Sequence, residues 1–212
     1  MGNRAVITTK KEWQNDGIGV YLHWNGGMDS VRAFLRYCEL KGYRAPDEDF
    51  YGWARLCQVV GNFFGGGRSV GIDKLWYLDR ENGDNGVYII EGWKVVDRYY
   101  HEGAEQDGYD LKEMLVEINK NMPEKEQLPE DFLTGDPTPV AEIKIGQKVF
   151  VQQFGGDVNL VDVVGIGEDR YVNGTNVKGI PYTNLYGVDE AGYANNINNY
   201  LRQPEYVVKN IE

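Results

Sequence analysis

A glycine turn that follows a histidine is the part of the sequence best suited to chemistry. His23 ends an alternating, strand-like segment, and Gly26 and Gly27 lead from it into a helix-like segment. Backbone N–H groups at a strand-to-helix turn favour an anion, and His23 would supply an acid/base group. Arg4 would add positive charge if the first two strands pair. The turn predicts a site for a nucleotide or another phosphate-containing small molecule.

A second turn contains three consecutive glycines, residues 65–67, followed by Arg68. Glycines let a backbone approach a ligand closely, but they also suit a plain helix-to-strand connection. Neither turn has the glycine spacing of a phosphate-binding loop or a dinucleotide fingerprint, and the His23 turn also fits a scaffold without a ligand. The candidate ligand-binding residues are Arg4, His23, Trp24, Asn25, Gly26, Gly27 and Arg68.

Other catalytic and metal-binding patterns are missing from the sequence. The two histidines, His23 and His101, have no Cys or His partner at metal-ligand spacing, and no G-x-S-x-G motif occurs. Cys38 and Cys57 fall in helix-like apolar patterns, which predicts buried, reduced thiols. We therefore expect no metal and no cofactor, and these observations favour a non-enzymatic function over an enzymatic one.

Most of the chain's negative charge lies in one segment. The formal net charge is −11, which argues against sequence-independent binding to nucleic acid or to anionic membranes. Residues 79–136 hold 16 of the 33 acidic side chains but only 6 of the 22 basic ones, so their net charge of −10 accounts for nearly all of the chain's −11. Such a segment either imitates the phosphates of a nucleic acid towards a basic protein or is simply a solvated surface. The candidate interaction residues are Glu102, Glu105, Asp107, Asp110, Glu113, Glu117, Glu124 and Glu126.

The first 121 residues predict an α+β domain, an antiparallel sheet with a helical hairpin and a third helix. Alternating and helical apolar periodicities define the elements, and the first two helices each have a predicted apolar stripe, from Val31 to Cys38 and from Phe50 to Val60. Asp29 is the expected N-cap of the first helix, and Asp110 that of the third. The predicted strands are 4–8, 17–24, 69–72, 87–90 and 93–99, and the predicted helices are 30–41, 47–63 and 111–121.

The rest of the chain predicts a linker and a second domain. Residues 122–139 contain four prolines and several acids, which indicates an acidic linker. Residues 140–212 contain short strand-like runs, which predict a small SH3-like β-barrel. Asn173-Gly174 predicts a type I′ hairpin turn, and residues 191–201 predict a closing helix. The predicted strands are 143–145, 148–153, 160–166 and 170–172, followed by runs around 177, 180–182 and 185–186.

The first 30 residues resemble small proteins that are common in bacteriophages and mobile elements. The resemblance consists of a Met-Gly-x-Arg start and a motif of the form Y-x-HWDGYP at the end of the second predicted strand, which Arg4, His23 and Trp24 match. The chain has Asn25 where the pattern has Asp, and Gly27 where it has Tyr. The resemblance implies a phage or mobile-element origin and assigns no chemistry to these residues.

Three functions fit these observations. The preferred one is a non-enzymatic binding protein that inhibits a host defence protein through its acidic segment. The alternatives are a binder or hydrolase of a phosphate-containing small molecule at the His23 turn, and a structural or assembly component. No apolar run approaches the ~20 residues of a membrane span, and no signal-peptide core begins the sequence. We expect a protein partner, no nucleic acid, no membrane and a location in the bacterial cytoplasm.

Overall fold

The chain separates into two compact units in a computed structural model. One unit comprises Met1–Glu39 with Tyr43–Gln127, and the other Leu40–Gly42 with Leu128–Glu212. The division after Gln127 falls within residues 122–139, and the predicted domain limits stay predictions. The structure describes residues 2–10, 16–46, 50–66, 70–101, 108–135, 144–152, 158–166, 171–176, 181–186 and 207–208.

The first unit is built on a five-stranded sheet and three helices. The strands are β1 (Ala5–Thr8), β2 (Ile18–Leu22), β3 (Val70–Lys74), β4 (Val87–Glu91) and β5 (Lys94–Tyr99). The helices are α1 (Met28–Leu40), α2 (Phe50–Phe63) and α3 (Leu111–Lys120), and 3₁₀ turns occur at Leu75–Tyr77 and Glu124–Glu126. The α+β class predicted from the sequence is confirmed.

The sheet has the order β3-β2-β1-β4-β5 and is mixed. β1 pairs antiparallel with β2 but parallel with β4, in the register Ile7↔Tyr88. The prediction of a wholly antiparallel sheet is therefore wrong. Between β1 and β4 the chain passes through β2, both hairpin helices and β3, and this long connection allows β4 to return in the direction of β1. Residue alternation within a strand carries no information on that direction.

The core surrounds the two central strands. β1 and the first four residues of β4 are buried throughout, as expected for strands covered on both faces. The predicted apolar stripe of α1, from Val31 to Cys38, is fully buried and confirmed. In α2, Trp53 and Val60 are buried, but Phe50 is 72% exposed, so the predicted stripe is only partly correct. On the second face of the sheet, Val6 packs with Leu75 and Val87.

The second unit contains a helix and a further antiparallel sheet. The elements are α4 (Glu130–Thr134), β6 (Lys148–Gln152), β7 (Val158–Ile166), β8 (Tyr171–Asn176), β9 (Pro181–Tyr186) and β10 (Val207–Val208). The strand order is β10-β6-β7-β8-β9. The two outer strands of this order do not pair in the part of the chain that the structure describes, so the sheet is open and the SH3-like barrel is not confirmed.

Two local predictions for the second unit are wrong, and a third is not covered. Asn173 and Gly174 do not form a hairpin turn, because they lie within β8 and pair with Gly165 and Val163 across a register shift. Ile145 lies in a turn and not in a strand. The predicted closing helix, residues 191–201, lies outside the described residues.

No helix among the described residues has the length and apolar character needed to cross a bilayer.

Candidate functional site

The antiparallel pairing of β1 with β2 brings Arg4 and His23 to the same end of the sheet, as predicted. The register Ala5↔Leu22 places the residue before β1 beside the residue after β2. The amide of Asn3 donates to the carbonyl of His23 at 3.3 Å, which extends the ladder by one residue. Backbone pairing therefore holds Arg4 and His23, the two basic candidates of the His23 turn, next to each other.

Arg4 is engaged by carboxylates within the fold. Its Nε donates to Oδ2 of Asp84 at 2.6 Å, its backbone N–H reaches the same oxygen at 3.2 Å, and Nη1 lies 3.8 Å from Oδ2 of Asp79. Partial burial alone would raise the pKa of Asp84, but the hydrogen bonds and the charge of Arg4 outweigh it and hold that pKa below its ordinary value. The positive charge predicted for an anion is thus already matched by two carboxylates.

The loop that carries these carboxylates is organised by Asn82, which is 3% exposed. Its side-chain amide donates to the carbonyls of Asp79 at 3.2 Å and Gly86 at 3.3 Å. Its side-chain oxygen accepts from the amides of Asp84 and Gly86, both at 3.1 Å. We missed this residue in the sequence, although two Asn-Gly pairs within five residues were a signal of a tightly turned loop.

A second asparagine joins the same loop to the strands on either side. The Nδ2 of Asn85 donates to Oδ1 of Asn3 at 2.5 Å and to the carbonyl of Arg4 at 3.1 Å. Arg98 of β5 donates to the carbonyl of Asn85 at 2.8 Å and to its Oδ1 at 2.9 Å. The residues around Arg4 therefore form a network that holds the fold together.

Gly26 is required by close packing. Its amide donates to the carbonyl of Asn3 at 2.8 Å, and its carbonyl accepts from the hydroxyl of Tyr88 at 2.9 Å. A Cβ at this position would lie 2.6 Å from the carbonyl oxygen of Asn3 and 2.7 Å from the Cβ of Ala5. The amide expected to cradle an anion thus already has a protein acceptor.

The remaining residues of the predicted turn lie on the surface or start α1. His23 and Trp24 are exposed, with ring centroids 4.9 Å apart, and the hydroxyl of Tyr21 lies 3.4 Å from Nδ1 of His23. Asn25 has a φ of 54°, and the carbonyl of Gly27 accepts the first bond of α1 from Val31 at 2.9 Å. The structure brings together six of the seven candidate ligand-binding residues, and Arg68 lies outside the described residues.

Metal and thiol chemistry find no support in the residues that the structure describes. No group of three or more His, Cys, Asp or Glu side chains there is arranged to hold a metal ion. Cys38 is buried and Cys57 is partly buried, both as free cysteines. Burial raises the pKa of both thiols, which disfavours the reactive thiolate.

Five acidic candidates lie on α3 and the turn after it. Asp110 is the N-cap of α3, as predicted, and its carboxylate accepts from the amides of Lys112 at 2.9 Å and Glu113 at 3.2 Å. Glu117 is exposed and lies 3.2 Å from Lys120. The described acidic candidates are Asp110, Glu113, Glu117, Glu124 and Glu126; Glu102, Glu105 and Asp107 lie outside the described residues.

Two exposed apolar side chains stand at the start of α3, on either side of its cap Asp110 in the sequence. Tyr109 is 50% exposed and Leu111 is 42% exposed. They flank Asp110 in the sequence, and Glu113 and Glu117 follow two and six residues after Leu111, so these two carboxylates project from the opposite side of the helix; all three acidic residues are exposed. We call these five residues the α3 surface. The outward side of α3 is therefore acidic, and exposed apolar side chains stand at its N-terminal end.

Asp29 has a role that the sequence did not predict. It lies in the first turn of α1, which begins at Met28, so its prediction as the N-cap is wrong. Its Oδ1 accepts from the amide of Ser30 at 2.7 Å, and its Oδ2 accepts from the amides of Gly108 at 2.9 Å and Tyr109 at 2.7 Å. The start of α1 is thereby joined to the segment before α3.

Comparisons of the chain with protein-family models, with curated proteins and with solved structures found no match.

Proposed function

We propose that this chain is a non-enzymatic binding protein of phage or mobile-element origin that acts in the bacterial cytoplasm. It inhibits a host protein that handles nucleic acid, and it does so by placing the α3 surface on that protein's basic face. The observation that carries the proposal is the exposed, acidic outward side of α3, with Glu113 and Glu117 one turn apart and the exposed side chains of Tyr109 and Leu111 at the start of the same helix.

This combination has the usual anatomy of a protein interface. Aromatic residues that are exposed in the free protein often become the anchors of a complex, and a polar rim surrounds them. The carboxylates of Glu113 and Glu117 complement a cationic partner, and the chain's net charge of −11 would accelerate its encounter with one. A host protein that binds nucleic acid presents such a cationic face.

The network around Arg4 supports this proposal over a phosphate-binding site at the His23 turn. Arg4 is matched by Asp79 and Asp84, and the amide of Gly26 is bonded to a carbonyl. A phosphate at this turn would have to displace those partners, and it would meet two carboxylates next to the arginine. An anion therefore gains less here than the residue types alone predict.

The test is an affinity capture from bacterial lysate with a charge-matched control. The wild-type chain, the variant Glu113→Lys/Glu117→Lys and the control variant Glu81→Lys/Glu91→Lys serve as baits. Both variants change the net charge by the same amount, and Glu81 and Glu91 are exposed residues outside α3. We expect the wild type and the control to retain one stoichiometric partner that duplex DNA displaces, and the α3 variant to lose it.

Two results would contradict the proposal. One is equal capture by the α3 variant and the control, because the position of the carboxylates on α3 would then make no difference to binding. The other is a partner that stays bound in the presence of excess DNA, because the proposed surface would then not lie on a nucleic-acid-binding face.

A further inference from the structure

We infer that Asp73 and Asp97 block strand addition at the two edges of the first sheet, so that this sheet does not extend into a second copy of the chain. Among the residues that the structure describes, the sheet ends with β3 on one side and β5 on the other. An outer strand presents backbone N–H and C=O groups that can pair with a further strand. The inference is independent of the proposed function, because it concerns β3 and β5 and not α3.

The two outer strands carry the same short sequence pattern. Residues 72–74 of β3 are Ile-Asp-Lys and residues 96–98 of β5 are Val-Asp-Arg, so each has a β-branched apolar residue, an aspartate and a basic residue. In both strands Oδ1 of the aspartate accepts the backbone amide of the basic residue, at 2.7 Å for Lys74 and 2.8 Å for Arg98. The same hydrogen bond therefore occurs at both edges of the sheet.

The amide of Lys74 is directed to the open side of β3. Immediately after β3, the amide of Leu75 donates to the carbonyl of Gly17 at 2.7 Å, one position beyond the register pair Ile18↔Lys74. Because hydrogen-bonded and non-hydrogen-bonded pairs alternate along an antiparallel ladder, the amide of Lys74 points away from β2. The carboxylate of Asp73 therefore occupies a donor that a strand added to β3 would use.

Each edge also presents an apolar side chain that would favour pairing with another strand. Ile72 is 55% exposed and Val96 is 50% exposed, and each directly precedes the aspartate of its strand. β-branched residues are enriched in strands, and cross-strand contacts between them stabilise a sheet. Without the aspartates, each edge would combine an available amide with an apolar contact. The carboxylates thus act at the points where addition of a second copy is most favourable.

The test separates the hydrogen bond from the charge of the two aspartates. Asp73→Ala, Asp97→Ala and the double alanine variant remove the carboxylates and release the edge amides. The variant Asp73→Asn/Asp97→Asn loses both charges but keeps an acceptor oxygen in each side chain. The charge-matched control is Glu81→Ala/Glu91→Ala, because both glutamates are exposed and lie outside the two outer strands.

Sedimentation velocity over a concentration series gives the mass of each variant of the full chain relative to the wild type. We expect each single alanine variant to double that mass, because one open edge pairs with one other edge and the contact is then closed. The double alanine variant should form larger species, since open edges on both sides allow copies to keep adding. The asparagine variant and the control should keep the wild-type mass.

Amide hydrogen exchange locates the contact and verifies the fold. In the associated variants, exchange should slow in β3 and β5 while the protection of β1 stays unchanged. In the Asp73→Ala background, Ile72→Lys should restore the wild-type mass, because a charged side chain on an edge strand opposes pairing.

Three results would overturn the inference. The first is a double alanine variant that keeps the wild-type mass at every concentration. The second is association of the asparagine variant to the same extent as the double alanine variant, because the charge and not the hydrogen bond would then protect the edges. The third is association without slower exchange in β3 or β5, which would place the contact elsewhere on the molecule.

Discussion

Replacing Asn82 by alanine should destabilise the first unit more than its place in a surface loop suggests. The side chain is almost completely buried, and its hydrogen bonds with the described residues all go to the backbone of its own loop. That loop carries Asp84 to Arg4 and continues directly into the central strand β4. Asn82 therefore supports both an ion pair and a strand of the core.

The size of the effect follows from its contacts. The NH₂ group has two hydrogens, so its contacts with the carbonyls of Asp79, Arg80 and Gly86 count as two hydrogen bonds, and the side-chain oxygen accepts two more. At about 0.5–1.5 kcal/mol net for each bond, and with water able to reach part of the opened loop, Asn82→Ala should cost about 2–4 kcal/mol. Asn82→Asp should cost at least as much, because a carboxylate would face the carbonyl oxygens.

Urea unfolding followed by tryptophan fluorescence is the suitable assay. All five tryptophans lie within residues 1–127, so their signal reports the first unit even if the second unfolds separately. The exposed neighbour Glu81 provides the control, and Glu81→Ala should change the free energy of unfolding by less than about 0.5 kcal/mol. A loss below about 1 kcal/mol for Asn82→Ala, or an Asn82→Asp variant as stable as the wild type, would refute the role given to this side chain.

Three further predictions concern other parts of the first unit. Because Arg4 lowers the pKa of Asp84, the pair's stabilisation is complete above the ordinary value of 3.8 and is lost as the pH falls through the folded-state pKa. Chemical denaturation should thus find Asp84→Asn less stable than the wild type at pH 7, with a gap that narrows in acid. Gly26→Ala should cost about 1–3 kcal/mol through overpacking, whereas Gly61→Ala in α2, where a Cβ has open space, should stabilise by about 0.5–1 kcal/mol in the same assay. Cys38 should not react with a thiol reagent until the chain is unfolded.

The elements that the sequence predicted well are those with a strong local pattern. The stripe of α1 spans about two turns, and the cap of α3 uses a residue type that helix N-termini favour, so both could be found without tertiary information. The direction of β4 relative to β1 could not, because it depends on the path of the whole intervening chain. The Asn173-Gly174 signal was wrong for a related reason: pairing of β8 with β7 and β9 placed a turn-favouring dipeptide within a strand, at a register shift.

The candidate sites divide in the same way. The sequence placed Arg4 and His23 together because strand pairing is a local consequence of two short alternating segments. It could not show that Asp84, 80 residues later, would occupy the guanidinium. Nor could it show that Asp29 would accept amides from residues 108 and 109. Both contacts join residues far apart in the sequence, and an aspartate in either of these positions gives no local signal of such a contact.

These long-range partners change which part of the molecule remains available for function. The arginine, asparagine and glycine near the His23 turn suggested a ligand-binding site, but in the structure they join β1 and β2 to the loop before β4. A polar group that is already hydrogen-bonded within the fold is not available to a ligand. At α3 the balance is reversed. Asp110 and Asp29 accept the backbone amides around Tyr109, while the side chains of Tyr109, Leu111 and Glu113 are exposed and Glu117 lies at the surface, 3.2 Å from Lys120. Since burying exposed apolar surface is favourable and the surrounding charge selects the sign of the partner, a surface whose backbone is already satisfied is the better candidate for binding.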